Sequence, residues 1–335
     1  MDTKLRWGIL STAHIGVARV IPAMQRGQWS EVSAIASRDL SRAQEVAKGL
    51  GVPKAYGSYA ELLADSQIEA IYNPLPNHLH VPWTIKAAEA RKHVLCEKPI
   101  ALNAIEARSL LEVRDRTKVR IQEAFMVRTH PQWLATRDLI RGDRIGQLKT
   151  INGFFSYYNA DPGNIRNKPE MGGGALFDIG CYPITMSRFI FGVEPTRVLG
   201  LIERDKELGI DQLTTAILEF PSGQSTFTCS TQLAPYQRMT FFGTKGRIEL
   251  PIPFNAPNDR PTTIIVDDGS SLFGTSAETI EFPVCDQYTI QGDLFSKAVL
   301  ENKEQGIPLE DSINNMAVID AVFRSAATGQ WEEID

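Results

Sequence analysis

In the first third of the chain, short apolar runs alternate with stretches whose apolar residues recur at helical spacing. This alternation is typical of parallel βαβ units. Ser41 is expected to cap the second predicted helix, and Asn103 with Glu106 the last one, because these residues satisfy open amides at helix starts. The predicted strands cover residues 6–11, 32–37, 68–73, 93–96 and 119–122, and the predicted helices cover about 17–26, 41–50, 80–91 and 103–116.

Beyond about residue 123 the pattern changes to long strands of alternating apolar and polar positions. Gly223 and the turn at 243–246 separate pairs of such strands, which predicts antiparallel hairpins. Residues 251–261 hold four prolines and are interpreted as a surface loop. The alternating strands are 214–220, 225–230, 240–242 and 247–250, and amphipathic helices are expected near 290–300 and 312–327.

The change of pattern also predicts the domain boundary. A chain of 335 residues exceeds what one hydrophobic core usually organises, so two domains are expected. We predict an α/β protein in which residues 1–123 bind a dinucleotide and residues 124–335 bind the substrate.

Composition and charge exclude several classes of partner. The formal charge is −5, the pI is near 5.7, and the basic residues are scattered, so nucleic acid is not expected to bind. No apolar run approaches membrane-spanning length, and the stretch before Ser11 is too short for the core of a signal peptide. The four cysteines and five histidines show no metal-ligand spacing, which predicts no metal site and suits reduced thiols in the cytoplasm.

The first strand runs into the segment Ser11-Thr12-Ala13-His14-Ile15-Gly16, where a dinucleotide fold usually carries Gly-x-Gly-x-x-Gly. Only Gly16 of the three glycines is present. Ser11 and Ala13 are small enough to let a phosphate approach backbone amides at a helix start, so the site is weakened and not excluded. A plain turn between strand and helix is the alternative.

The end of the second strand bears on the choice between NADP and NAD. An acidic residue there would hold the ribose 2′-hydroxyl of NAD, but the chain has Ser37 and Arg38. A guanidinium and a hydroxyl suit a 2′-phosphate, so NADP is preferred. Asp39 follows, so NAD use is possible, and Arg38 in the alternative interpretation is solvated and helps to cap the next helix.

Lys98, Asp178 and Tyr182 are candidates for catalysis. Lys98 follows an apolar strand at the edge where parallel sheets bind ligands, and Asp178 and Tyr182 lie about one helical turn apart. A phenol transfers protons near neutral pH only if a nearby positive charge lowers its pKa, and Lys98 is expected to supply that charge. The alternatives are an exposed lysine, a paired aspartate and a tyrosine packed in a core. The three glycines at 172–174 favour the functional interpretation, because they let backbone approach a ligand closely.

Several of these motifs together resemble the Gfo/Idh/MocA family of oxidoreductases over nearly the whole chain. The motifs are Glu97-Lys98-Pro99, the loop 73–77, the segment 123–131 and the run 172–183. The resemblance implies an N-terminal Rossmann domain with a doubly wound parallel sheet and a C-terminal α/β domain with an open, mostly antiparallel sheet that often serves for oligomerisation. It also implies that Lys98 is at the catalytic centre.

The second motif ends in Tyr182 where many family members have histidine. In this respect the chain resembles the branch of dimeric dihydrodiol dehydrogenase and NADP-dependent D-xylose dehydrogenase, which disfavours an inositol-dehydrogenase-like role. Residues 164–166 also resemble that branch, where this loop lies at the substrate pocket. The resemblance therefore implies an NADP-dependent oxidoreductase of a sugar, ketosugar or trans-dihydrodiol, and a homodimer or homotetramer.

Two other functions are left open: an NAD-dependent glycoside hydrolase on the same fold and a non-catalytic dinucleotide sensor. If the chain is an oxidoreductase, Tyr182 would carry the proton and Lys98 would lower the pKa of Tyr182. Asp178 would orient the substrate or Lys98. The cofactor is expected to contact Ser11, Thr12, Ala13, His14, Ile15, Ser37, Arg38, Pro74, Leu75, Asn77, His80, Glu97, Lys98 and Arg128. The substrate is expected to contact Asn164, Arg166, Asp178, Tyr182 and Phe155, with Phe154 and Tyr158 as further candidates for an apolar wall.

Overall fold

The computed structural model describes residues 4–303 and 306–334, which divide into two compact units. The first unit comprises Met1–Met126 and Asp286–Ile313, and the second comprises Val127–Cys285 and Asn314–Asp335. The helices, in chain order, are α1 (Ile21–Gln25), α2 (Leu40–Leu50), α3 (Tyr59–Ala64), α4 (His80–Glu89), α5 (Ala104–Thr117), α6 (Pro131–Arg141), α7 (Cys181–Phe191), α8 (Gln287–Leu300) and α9 (Leu309–Thr328).

The first unit contains a parallel sheet in the order β3-β2-β1-β4-β5-β6. This order confirms the predicted doubly wound Rossmann sheet. The winding reverses between β1 and β4, and the crevice at such a reversal is where open α/β sheets bind ligands. The six strands are β1 (Leu5–Leu10), β2 (Ser30–Ala36), β3 (Lys54–Tyr56), β4 (Ala70–Asn73), β5 (His93–Cys96) and β6 (Ile121–Glu123).

Two helix starts in this unit test the capping predictions. Oδ1 of Asn103 accepts the amide of Glu106 at 2.8 Å, which confirms the predicted start of α5. The prediction that Ser41 caps α2 was wrong. Asp39 occupies that position with extended backbone, and its carboxylate accepts the amides of Ser41 at 2.9 Å and Arg42 at 3.3 Å.

The second unit is built on a nine-stranded sheet within the described residues. Its order is β14-β13-β12-β11-β7-β10-β9-β8-β15, and the neighbours run antiparallel except for the parallel pair β7 and β10. The hairpins predicted around Gly223 and residues 243–246 are confirmed. The strands are β7 (Leu148–Tyr158), β8 (Arg197–Arg204), β9 (Asp211–Phe220), β10 (Gly223–Ser230), β11 (Gln232–Gly243), β12 (Arg247–Leu250), β13 (Thr262–Asp267), β14 (Glu278–Phe282) and β15 (Glu332–Glu333).

The two faces of this sheet differ in burial. Ala216 and Phe227 face the interior and are almost fully buried, whereas the next residues outward, Ile217 and Thr226, are half-buried. The irregular segment 251–261 was predicted to be a surface loop, but its Phe254 is fully buried. The reason is an aromatic contact, because Phe254 stacks on Phe155 with ring centroids 4.8 Å apart.

Candidate active site

The turn after β1 has the backbone that a phosphate-binding loop needs. Ser11 has a φ of 82°, a left-handed conformation that glycine usually adopts, and its hydroxyl accepts the amide of Ala13 at 3.2 Å. The helical segment begins at His14 and passes through a π-helical turn, Gly16–Val20, into α1. Ser11 therefore stands in for the first glycine of the motif. The loop fits a pyrophosphate at a helix start at the carboxyl end of β1.

The end of β2 presents Ser37 and Arg38, as the sequence predicted. The Asp39 carboxylate is engaged by Ser41, whose hydroxyl donates to it at 2.6 Å, and hydrogen bonds from Ser41 and Arg42 lower the pKa of Asp39. Arg38 is exposed. The acidic residue that would suit NAD thus caps α2, and Arg38 directly precedes it in the chain.

Lys98 and Glu97 follow β5 at the same edge of the sheet. Glu97 accepts the hydroxyl of Tyr72 at 2.5 Å and the amide of Lys98 at 3.3 Å. Tyr72 is fully buried, and burial together with the charge of Glu97 raises its pKa well above the ordinary value. Tyr72 therefore stays protonated and fixes Glu97 beside Lys98. Sequence reasoning missed Tyr72, because a tyrosine inside an apolar strand looks like a core residue.

His80 lies inside the first unit. Its Nε2 is 2.7 Å from the carbonyl oxygen of Leu75, and its Nδ1 is 2.7 Å from that of Pro99. Burial lowers the pKa of His80 to about 4, although the two carbonyl oxygens favour the charged ring. A neutral ring donates a hydrogen bond to only one of these carbonyls. His80 thus lies between the loop after β4 and the segment after Lys98 and packs against both. Glu123 supports the same segment, because its Oε1 accepts the amide of Ile100 at 2.8 Å.

Tyr288 is a further residue near this group that sequence reasoning missed. It lies in α8, and burial with the charge of Glu97 raises its pKa to about 12, while Lys98 and Arg19 act in the opposite direction. Tyr288 is therefore within electrostatic range of both Glu97 and Lys98. It is 190 positions from Lys98 in the sequence, so no local motif could indicate it.

In the second unit, Arg166, Asp178 and Tyr157 form one polar cluster. Oδ2 of Asp178 accepts the hydroxyl of Tyr157 at 2.6 Å and pairs with Nε of Arg166 at 3.1 Å. The negative charge of Asp178 has the largest effect on the pKa of Arg166 and raises it. The nearby Tyr157 and Tyr182 raise it further. The structure therefore brings together the predicted Arg166, Asp178 and Tyr182. Tyr157 was missed because tyrosines at 157 and 158 look equivalent in the sequence.

The ring of Tyr182 is packed among aromatic residues of the second unit. Its centroid is 5.4 Å from that of Phe254 and 5.9 Å from that of Phe155, and its exposed fraction is 5%. Phe155 lies on this inner face, as the predicted apolar wall requires. Phe154 lies on the opposite face of β7, in edge contact with Tyr236 at 5.7 Å.

Asn164 and the glycines 172–174 shape the backbone around Arg166. Oδ1 of Asn164 accepts the amide of Arg166 at 3.0 Å, and the amide of Gly174 donates to the carbonyl of Arg166 at 2.8 Å. A side chain at Gly173 would overlap the same carbonyl, and one at Gly174 would overlap Asp211. Gly173 and Gly174 thus permit a close approach to the protein's own Arg166 and Asp211, and not to a ligand as the sequence had suggested.

The other predicted contacts divide between the units. In the first unit, Pro74 and Leu75 are buried after β4, and Asn77 begins a short 3₁₀ turn, Asn77–Leu79. In the second unit, the guanidinium of Arg128 lies 4.7 Å over the ring of Phe189. Within residues 4–303 and 306–334 there is no cluster of three potential metal ligands, and none of the helices there is long and apolar enough to cross a membrane.

Comparisons with known proteins agree with this fold. Residues 5–125 match the model of the oxidoreductase family with an NAD-binding Rossmann fold, and residues 133–249 match the GFO/IDH/MocA C-terminal domain. An uncharacterized oxidoreductase of Rhizobium meliloti is 48% identical over 331 residues, which cover 98% of this chain and 99% of that protein. D-xylose 1-dehydrogenase (NADP(+)) 2 of Haloferax volcanii is 36% identical over 336 residues, which cover 99% of this chain and all of that protein.

A solved structure is also similar to the chain. It is the crystal structure of a 3-ketoreductase from Actinomadura kijaniata in complex with NADP and TDP-benzene. The two proteins share 28% identity with a TM-score of 0.90, and the match covers 96% of this chain and 98% of the other.

Proposed function

This chain belongs to the Gfo/Idh/MocA family of NAD(P)-dependent oxidoreductases, and on that premise we propose that it transfers a hydride between NADP and a carbon of a sugar-like substrate. The substrate carbon bears a hydroxyl or carbonyl group. We place the substrate among aldoses, ketosugars and trans-dihydrodiols, and we take an aldose such as D-xylose as the first candidate.

The capping role of Asp39 is the observation that supports NADP. The amides of Ser41 and Arg42 and the hydroxyl of Ser41 all donate to Oδ1 of Asp39, so this carboxylate is turned toward the start of α2. Arg38 and Ser37 are the groups left at the end of β2 to meet a ribose substituent. A guanidinium there favours a 2′-phosphate through charge-assisted, bidentate hydrogen bonds. The name of the similar D-xylose 1-dehydrogenase includes NADP(+), and the similar 3-ketoreductase structure contains NADP, which agrees with this choice.

The residues of the first unit are proposed to hold the cofactor, which supplies or accepts the hydride when bound. Lys98 binds the substrate oxygen or the nicotinamide ribose, and His80 shapes the loops on either side through its contacts with Leu75 and Pro99. The role of His80 toward the cofactor is thus indirect, because it acts through the position of these loops. The proposed cofactor contacts in this unit are Ser11, Thr12, Ala13, His14, Ile15, Ser37, Arg38, Pro74, Leu75, Asn77, Glu97 and Lys98. Arg128 of the second unit is a further proposed contact.

The residues of the second unit are proposed to hold the substrate and move the proton. Tyr182 gives or takes the proton at the substrate oxygen, and Lys98 stabilises the phenolate. Arg166, which the structure puts within electrostatic range of Tyr182, adds a second stabilising charge. Asp178 is paired with Arg166 and Tyr157, so it suits the role of accepting substrate hydroxyls better than that of a proton carrier. Phe155 and Asn164 complete the proposed substrate contacts.

The outer face of the nine-stranded sheet supports a homo-oligomer. Leu201 on β8 is 75% exposed, Tyr236 on β11 is 47% exposed, and Ile217 between them is half-buried. Large apolar side chains that are exposed on a sheet face are a feature of protein interfaces. We therefore propose that two copies pack these faces against each other, as a dimer or as a dimer within a tetramer.

The proposed activity is tested with a substrate panel. Aldoses, ketosugars and trans-dihydrodiols would be incubated with NADP, NADPH, NAD or NADH while nicotinamide absorbance is followed. We expect net reduction of NADP by at least one aldose or dihydrodiol, at a higher kcat/KM than with NAD. Tyr158→Phe serves as a matched control, because Tyr158 is 67% exposed, and it should behave like the natural chain. Tight cofactor binding without any net absorbance change would contradict the proposal.

A further inference from the structure

Asp211 is a buried carboxylate at the start of β9 that no part of the proposed chemistry uses. Its exposed fraction is 2%. Oδ2 accepts the amide of Leu176 at 2.6 Å and the hydroxyl of Thr214 at 3.1 Å. Both groups donate hydrogen bonds to Asp211, as expected for an ionised carboxylate, which can only accept them.

The amide that Asp211 holds begins the segment that carries the candidate site. Leu176 is the first residue of a π-helical turn, Leu176–Gly180, and Asp178 lies within that turn. α7 follows directly and contains Tyr182. Amides at a helix start carry partial positive charge, so a carboxylate placed there is attracted to them. A shift of the Leu176 amide would therefore move Asp178.

The other oxygen of Asp211 explains why a glycine precedes the turn. Gly174 has a φ of 120°, and a Cβ at this position would overlap Oδ1 of Asp211. Only glycine combines that conformation with so close an approach. The carboxylate is thus fitted into the start of the turn from the side of β9.

We propose that Asp211 is a positioning residue for the reaction: its ionised carboxylate holds the turn Leu176–Gly180 and so sets the position of Asp178 and Tyr182. This inference rests on the proposed function, because it assumes that these two residues act on the substrate.

The environment of Asp211 gives this role a pH dependence. Burial is the largest effect and raises the pKa of Asp211 from 3.8 to about 6, while the donors Leu176 and Thr214 and the charge of Arg204 act in the opposite direction. Cys229 on β10 is also near, but burial raises the pKa of its thiol, so it is neutral. Turnover should therefore decline as the pH falls through about 6.

The same shift makes Asp211 a cost to stability at neutral pH. Its pKa is higher in the folded chain than in the unfolded chain, so the folded state binds more protons between the two values. The wild-type chain should lose stability as the pH rises through that window, and the loss should persist above it. A carboxylate that stabilises the folded chain would have a lowered pKa, and stability would then rise with pH through its titration.

The test compares the full-length chain with Asp211→Asn and Thr214→Val. Asparagine keeps an oxygen for the amide of Leu176 but removes the charge. Valine keeps the shape of Thr214 but removes one donor to the carboxylate. Three properties would be measured across pH: the thermal midpoint, the hydrogen exchange of amides 176–180, and kcat with KM on the best substrate.

We expect Asp211→Asn to unfold at a higher temperature than wild type above pH 6 while its amides 176–180 exchange faster. Its kcat should fall about tenfold to a hundredfold, because a misplacement of reacting groups by about 1 Å can cost a hundredfold. The decline of kcat on the acid side of the pH–rate profile, its acid limb, should disappear. Thr214→Val should keep the kcat of wild type at pH 8 and move the acid limb to higher pH, because the carboxylate loses a stabilising donor.

The proposal is overturned if Asp211→Asn leaves the exchange of these amides and the acid limb unchanged, or if it lowers stability and activity together at every pH. If Asp211→Asn does not fold, Thr214→Val decides alone, and an unmoved acid limb overturns the proposal. If no substrate is turned over by any variant, the proposed function has failed, but hydrogen exchange still shows whether Asp211 holds the turn.

Discussion

The hydroxyl of Tyr157 donates a 2.6 Å hydrogen bond to the same oxygen of Asp178 that pairs with Arg166 at 3.1 Å. Hydrogen bonds to an ionised carboxylate are short and strong compared with neutral ones. Asp178 is therefore fixed as an acceptor, with a phenol on one side and a guanidinium on the other. A carboxylate held in this way orients hydroxyl groups and has little tendency to exchange protons itself.

Replacing Tyr157 by phenylalanine tests this relationship. Tyr157→Phe removes the hydroxyl and leaves the ring, so Asp178 loses one charge-assisted hydrogen bond. Such bonds contribute about 1.5–3 kcal/mol, so we expect kcat/KM for the sugar to fall roughly tenfold to a hundredfold. The dissociation constant of NADP, measured by fluorescence titration, should stay the same.

The neighbouring tyrosine is the control for that prediction. Tyr158 lies next in β7 with its side chain largely in solvent, so Tyr158→Phe should leave both constants unchanged. Equal losses in the two variants would mean that the effect comes from the strand and not from Asp178.

The cofactor proposal predicts that Arg38→Ala weakens NADPH binding far more than NADH binding. The 2′-phosphate loses a charge-assisted partner, so the dissociation constant of NADPH should rise roughly tenfold to a hundredfold. Arg42→Ala is a matched control, since Arg42 is an exposed arginine in α2 that pairs with Glu45 at 2.8 Å. Fluorescence titration that shows equal weakening of NADPH and NADH would refute the assignment of Arg38.

The oligomer proposal predicts that charges on the outer sheet face separate the subunits. Leu201→Lys combined with Ile217→Lys should give a 37.2 kDa monomer in light scattering, where the natural chain gives at least a dimer. The double variant Leu272→Lys with Phe273→Lys changes residues that are also exposed but lie off the sheet, and it should keep the assembly. A natural chain that is monomeric at micromolar concentration would end this proposal.

The fold was predictable from the sequence because its signals are local. The alternation of strands and helices before residue 123 indicates a parallel sheet, and the turns at Gly223 and residues 243–246 indicate hairpins. The cap of α2 was misplaced because serine and aspartate both cap helices, and only the extended backbone of Asp39 shows which one does so.

The sequence motifs predicted the candidate catalytic residues but not the residues that hold them in place. Asp178 and Arg166 lie in motifs that could be found. The residues that support the candidates within each unit lie in strands whose sequences look like ordinary sheet: Tyr72 in the first unit, and Tyr157 and Asp211 in the second. Their roles depend on contacts between distant segments, such as Asp211 with Leu176, which is 35 positions away. Such long-range contacts leave no periodicity in the sequence.

The mechanistic proposal predicts distinct losses for Tyr182→Phe and Lys98→Met. Tyr182→Phe keeps the aromatic packing with Phe155 and Phe254 but deletes the ionisable group, so kcat should fall by roughly 10²- to 10⁴-fold with cofactor affinity nearly unchanged. Lys98→Met should also lower kcat, and it should move the basic limb of the remaining pH–rate profile upward, because the phenolate loses a positive neighbour.

The double variant separates a shared role from two independent ones. Residues that act as one unit give a double variant scarcely worse than the worse single one, so the two losses should not add. Fully additive losses would mean that Lys98 and Tyr182 act independently, so that Lys98 does not tune the pKa of Tyr182. If Tyr182→Phe keeps most of its turnover on the best substrate, a group other than Tyr182 transfers the proton. Lys98 would then be the leading acid or base, and Tyr182 would be a packing residue of the aromatic cluster.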